Sequence, residues 1–327
     1  MSGRPKLVLH IGRHKCGTSS LQRFLSANGD ALRAHGYHYP TAHRQPYAHH
    51  PVAHAYAGDA PAVDTAAFWR DVASSPASIV SSEAFQNIDP SRLAPDLEAF
   101  DVTVVAYFRE PLDYLLSSYA QKVKAGNTDV TLEDYAAHFH VPYHDFATAW
   151  QKALPQASFK AGLFERAHLA RADVRHDFLI RCGLREAALD AFVYPDEDGN
   201  PSIGGDLLEV VRALVPHKAA FGSAWWQLYA AVQQLALADA RHRERPPMPA
   251  DVQQAVRQRH REQIAGFERD FLAQNLRFSE RSFPVGPFRT GISQEGAEEI
   301  RKALIKAQPS LAAPLAEIWS AVVAGTR

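Results

Sequence analysis

Residues 10 to 22 read His-Ile-Gly-Arg-His-Lys-Cys-Gly-Thr-Ser-Ser-Leu-Gln. One lysine, two glycines and three consecutive hydroxyls fall between Gly12 and Ser20. The apolar run Leu7-Val8-Leu9 precedes them, and the helical spacing Leu21, Phe24, Leu25 follows. A strand, a glycine-containing loop and a helix that opens with hydroxyls make a phosphate cradle. Backbone N–H groups of the loop and of the helix N-terminus converge on one spot and carry partial positive charge. Lys15 adds a full charge there, and Cys16, Gly17, Thr18, Ser19 and Ser20 supply the amides and hydroxyls. The loop departs from the G-x-x-x-x-G-K-[ST] pattern of ATP-binding loops. Gly12 and Gly17 have the right separation, but Thr18 stands where the lysine belongs. No Gly-Lys-Ser/Thr pair is present to hold a terminal phosphate together with magnesium.

Three other places carry groups that can do chemistry. Phe108-Arg109-Glu110-Pro111 ends a β-branched and aromatic run, and Ser117 follows eight residues after Arg109 on a helical pattern. A guanidinium at a strand end and a hydroxyl on the next helix can meet one phosphate. Ser81-Ser82-Glu83 ends another apolar run and puts a carboxylate at a strand's carboxyl end. Between His35 and His54 lie six of the sixteen histidines, with Tyr37, Tyr39 and Tyr47. Their spacing is irregular and lacks cysteine or acidic partners, so no zinc site is expected. A loop-rich wall of an acceptor pocket is the preferred reading, with His49 and His50 touching the acceptor. Lys122 and Lys124 are read as solvated surface or as facing an anion.

These groups need a frame. Strand-like runs at Lys6 to Ile11, Ala77 to Ser82, Val102 to Phe108 and Ser158 to Phe164 alternate with helical patterns. Continuous apolar runs between helices predict a parallel sheet covered on both faces, with ligands beyond the carboxyl ends of its strands. From about residue 200 the chain turns helical: Leu207 to Leu214, Ala219 to Ala238, Val252 to Leu276, and two helices over 293–327. The expected fold is thus α/β, a P-loop-like parallel sheet flanked by helices with a mainly helical C-terminal part. Residues 1–200 form the nucleotide-binding core, and 201–327 complete it or form a lid, an acceptor face or a homodimer surface. A net charge of −1 disfavours a nucleic-acid partner. Two cysteines, no leader-like N-terminus and no long apolar stretch point to a cytoplasmic protein without a membrane span.

Lys15-Cys16-Gly17-Thr18-Ser19-Ser20 resembles the K-x-G-T-T/S loop of sulfotransferases that use PAPS (3′-phosphoadenosine 5′-phosphosulfate). His10 through Gln22 is similar to the H-I-G-x-H-K-T-G-T-T-S-L-Q string of bacterial members, departing at Cys16 and Ser19. Arg109, Pro111, Ser117 and Tyr119 match the family's second motif, although Tyr114 replaces a common second arginine. Phe164-Glu165, Asp177-Phe178-Leu179 and Cys182-Gly183-Leu184 resemble a further family segment. The resemblance implies PAPS as cofactor and adenosine 3′,5′-bisphosphate (PAP) as product, with no metal. Lys15 and its loop would take the 5′-phosphosulfate, and Arg109 and Ser117 the 3′-phosphate. Sulfuryl transfer to a hydroxyl or amine of a carbohydrate or small-molecule acceptor calls for donors at the leaving oxygen and for a base. Glu83 is the first candidate base and His14, beside Lys15, the second. The alternatives are a P-loop kinase or other nucleotide-binding enzyme, and a non-catalytic nucleotide-binding scaffold.

Overall fold

The computed structural model describes residues 3–58, 63–195, 200–289 and 291–325. The chain divides into two compact units, each assembled from separate stretches of sequence. The first comprises Met1–Arg109, Val141–Glu197 and Arg261–Ser279, and the second Glu110–His140, Asp198–His260 and Glu280–Arg327.

The first unit is built on four strands, β1 (Lys6–His10), β2 (Ala77–Ser81), β3 (Asp101–Phe108) and β4 (Ser158–Leu163). They form one all-parallel sheet in the order β2-β1-β3-β4. The two central strands are buried on both faces, which is why Leu7 to His10 and Val104 to Phe108 read as unbroken apolar runs apart from His10. The chain leaves β1 for one edge of the sheet and returns on β1's other side as β3. The order therefore reverses between β1 and β3, where parallel sheets open a crevice beyond their carboxyl ends.

Helix α1 (Thr18–Ala27) and the helix Val174–Cys182 cover one face. Leu21, Phe24 and Leu25 of the former meet Phe178 and Leu179 of the latter over Val8, Ile79, Val105 and Tyr107. Each of these fully buried side chains contributes about 1.5–3 kcal/mol of apolar burial. At the end of β3, Phe108 packs on Phe267 at a ring separation of 4.2 Å and on Tyr143 at 5.1 Å. The segment 35–49 flanks β2: His38 N–H donates to Ala77 O, and Ile79 N–H donates to His38 O.

The second unit is helical throughout its described elements. Pro111–Lys124, Gly205–Leu214, Trp225–Ala238, Gln294–Ala307 and Ala312–Gly325 pack on one another around Leu207, Val211, Leu228, Ile300 and Leu315. Lys124 is buried here, with Nζ donating to Asn200 Oδ1 and to Pro201 O at 2.7 Å. It anchors the 200–201 backbone instead of lying on solvated surface. Lys122 is exposed, its ammonium 5.1 Å from the centre of the Tyr135 ring.

Candidate functional site

The loop from Ile11 to Gly17 is shaped by three residues in the left-handed backbone region: Gly12 (φ 54°), Lys15 (φ 63°) and Gly17 (φ 74°). Backbone that alternates between the two helical hands turns successive N–H groups to one side and makes an anion-binding concavity. Two of the three positions cannot take a side chain. A Cβ on Gly12 would lie 2.7 Å from Glu83 Cβ and 2.8 Å from its Cα; one on Gly17 would lie 2.6 Å from Phe164 Cε2. Lys15 adopts the same conformation with a side chain, a cost of order 1 kcal/mol that its surroundings hold in place.

α1 begins at Thr18 without a side-chain cap and without an acidic residue in its first turn. The first amide after Gly17 to find a backbone acceptor is that of Leu21, which donates to Gly17 O at 3.0 Å. Thr18, Ser19 and Ser20 thus present N–H groups that no described protein atom accepts. Cys16 is only 1% exposed and packs into the core, and its N–H donates to Arg13 O at 3.2 Å. The amide assigned to the cradle at Cys16 thus already serves a turn inside the loop.

Lys15 and Arg109 meet at the reversal point of the sheet. Arg109 Nη1 donates to Lys15 O at 2.9 Å, and its guanidinium lies 5.6 Å from the centre of the Phe164 ring. Tyr143 fixes the end of β3 from behind, its hydroxyl donating to Arg109 O at 2.8 Å. Burial and then the charge of Arg109 lower the Lys15 pKa to about 8, against a smaller opposing effect of Cys16. Ser117 lies on the helix Pro111–Lys124 in the second unit and is buried. Tyr119, also there, donates its hydroxyl to Val130 O.

Glu83 follows β2 and lies against Gly12. Its Oε2 accepts from Gln22 Nε2 at 2.6 Å, and its Oε1 faces His50 Nε2 at 3.8 Å. His50 Nδ1 is 2.8 Å from Ser82 Oγ. The structure thus brings Glu83 and His50 together beside the Gly12 end of the loop that carries Lys15. His14 is exposed at the loop's outer edge; partial loss of water around its ring lowers its pKa, and the charge of Glu83 opposes the change. His49 is placed elsewhere. It is fully buried, its Nδ1 accepts from Ser81 N–H at 3.2 Å, and its Nε2 is 3.0 Å from Pro40 O. Burial lowers its pKa to about 4. Both ring nitrogens hold backbone, so His49 ties the 40–49 segment to β2 and offers an acceptor nothing.

No protein-family model matches the sequence, and no curated protein matches it. Among solved structures, a crystal structure of a sulfotransferase from Alicyclobacillus acidocaldarius matches over 82% of this chain and 95% of that one. The identity is 14% and the TM-score 0.45, too distant for its chemistry to be carried over.

Two residues of the site have no role in the sequence reading. Gln22 is 3% exposed and donates to Glu83; it stands in the motif, but its partner is 61 positions away. Arg13, also buried, sits with its guanidinium 4.8 Å from the Phe146 ring, 5.0 Å from Tyr143 and 5.9 Å from Phe108. Cation–π contact of this kind is worth about 0.5–2 kcal/mol and fixes the start of the loop against the end of β3. Only the fold brings those rings, more than ninety positions away, to Arg13. Among the described residues no three His, Cys, Asp or Glu side chains converge as metal ligands would.

Proposed function

We propose that this protein is a PAPS-dependent sulfotransferase that moves a sulfuryl group to a hydroxyl or amine of a carbohydrate or small-molecule acceptor. The observation that carries the reading is the loop itself. Three left-handed residues and three unaccepted helix amides form an anion cradle with a half-buried lysine, at the strand-order reversal beside Arg109. Glycines with no room for a Cβ let Glu83 and Phe164 approach the loop backbone closely. These features fit a phosphate-bearing ligand.

Lys15 and the N–H groups of Thr18, Ser19 and Ser20 would hold the 5′-phosphosulfate, with hydroxyls of the same residues as further donors. Arg109 is assigned the 3′-phosphate, and Ser117 shares that assignment on the eight-residue spacing alone. When bound, PAPS supplies a sulfuryl group attached to a phosphate leaving group. Lys15 and the cradle amides stabilise negative charge that grows on the leaving oxygen, the largest effect available to preorganised donors. Glu83 accepts the proton of the acceptor hydroxyl. His14 is the second candidate for that proton.

Thermal-shift titration with PAP against ATP and magnesium tests the nucleotide. A ligand at one hundred times its dissociation constant stabilises by about 2.7 kcal/mol. PAP is expected to raise the melting temperature without metal; stabilisation by ATP and magnesium alone refutes the reading. Turnover of labelled PAPS over an acceptor panel then separates an enzyme from a binding scaffold.

A further inference from the structure

We infer that Gln22 and His50 are positioning residues that clamp the Glu83 carboxylate from opposite sides, so that one helix, α1, sets both the anion cradle and the orientation of the base. The inference rests on the role proposed above for Glu83. Gln22 lies one turn beyond Thr18 and is 3% exposed, so its amide has one use in its buried setting: Nε2 donates to Glu83 Oε2 at 2.6 Å. On the other side, His50 Nε2 stands 3.8 Å from Oε1. Gly12 closes the third side, because the Glu83 backbone fills the space a side chain there would need.

The hydrogen bonds also assign the tautomer of His50. Ser82 is fully buried, its Oγ already accepts the N–H of Ala84 at 3.1 Å, and its hydroxyl proton needs an accepting partner. That partner is His50 Nδ1, at 2.8 Å. A neutral imidazole that accepts at Nδ1 carries its proton on Nε2. His50 therefore turns its Nε2–H edge toward Glu83 Oε1, a dipolar contact at 3.8 Å that lies beyond direct hydrogen-bond length, and it does not compete for the acceptor's proton. Holding a base in one geometry is worth about 10- to 100-fold in rate.

The test has two readouts. The first is the ¹⁵N spectrum of the imidazoles near pH 7.5, with His50 assigned by its loss in His50→Gln. The expected result is an Nε2–H tautomer at His50 that shifts toward Nδ1–H in Ser82→Ala. A wild-type Nδ1–H tautomer overturns the inference. The second is kinetics with PAP affinity measured alongside. His50→Leu and Gln22→Leu should each lower kcat about tenfold or more with PAP affinity within twofold of wild type. His50→Gln, which keeps a donor at the Nε2 position, should recover most of the loss. Unchanged kcat in both leucine variants, or PAP affinity falling in step with kcat, overturns it. If the wild-type protein does not bind PAP, the sulfotransferase reading fails while the tautomer spectrum still decides the clamp.

Discussion

Lys15→Met should make this protein more stable while weakening its hold on phosphate. In the fold, Lys15 titrates at about 8 instead of 10.5, mainly because burial strips water from the ammonium and secondarily because Arg109 repels it. At 1.36 kcal/mol per pH unit, the charged form at pH 7 is about 3 kcal/mol less favourable folded than unfolded. Methionine keeps the length and the strained backbone of the position and removes only the charge, so the variant should gain about 2–3 kcal/mol at pH 7. The sign follows from linkage. Between pH 8 and 10.5 the unfolded chain binds more protons at Lys15 than the folded one, so wild-type stability rises relative to the variant, and the gap closes by about pH 10.5. Removing one charge-assisted hydrogen bond from the cradle should cost about 1.5–3 kcal/mol of PAP binding, or about 10- to 100-fold in affinity. Urea unfolding from pH 7 to 10 and calorimetric PAP titration measure the two halves. A variant less stable at pH 7, or one that binds PAP as tightly as wild type, refutes the reasoning.

Gly12→Ala places a methyl 2.8 Å from the Glu83 backbone and forces φ 54° on a residue with a side chain; a loss of about 1–3 kcal/mol in thermal unfolding and a fall in kcat are expected. Tyr143→Phe removes the donor to Arg109 O and should cost about 1 kcal/mol of stability and weaken PAP binding; calorimetry showing neither change would remove Tyr143 from the site. His10 and His49 are both fully buried, and burial holds each near pKa 4. With unfolded values of 6.5, their neutral forms contribute fully above pH 6.5, and that contribution is lost as the pH falls toward 4. Each should cost about 2 kcal/mol by pH 5. Urea midpoints that stay flat between pH 7 and 5 would contradict this.

The strands were legible because a parallel sheet buried on both faces leaves an uninterrupted apolar signal. Observed β1 to β4 lie within a residue or so of the runs at Lys6, Ala77, Val102 and Ser158. The helical character after residue 200 was legible too, but not every boundary. The pattern from Ala219 to Ala238 suggests one helix; Gly222 and Ser223, weak helix formers, split it into Lys218–Phe221 and Trp225–Ala238 around a 3₁₀ turn. The histidine-rich segment misled most. It reads as a pocket wall, yet it holds the helix His50–Ala57, and His49 is a core residue because its two ring nitrogens meet backbone on either side. Lys124 misled for the same reason: whether a cation is solvated depends on which carbonyls the fold brings to it. The strand, glycine loop and helix around Gly12 and Gly17 were readable as a local pattern, whereas the pairings Gln22–Glu83 and Arg13–Phe146 join residues far apart in sequence, which no local pattern encodes.

The buried thiol of Cys16 turns the loop into its own clock. Cys16 lies between Lys15 and Gly17 and is 1% exposed; Cys182 is buried as well, and the two form no disulfide. A thiol reagent therefore reaches neither sulfur while the fold is closed, and in Cys182→Ser its rate of labelling reads how often the loop from Ile11 to Gly17 opens. Ratios of labelling rates, with and without a cradle ligand, convert directly into the free energy by which that ligand holds the loop shut. Cys16 thus gives the loop a kinetic probe that a threonine at this position would not.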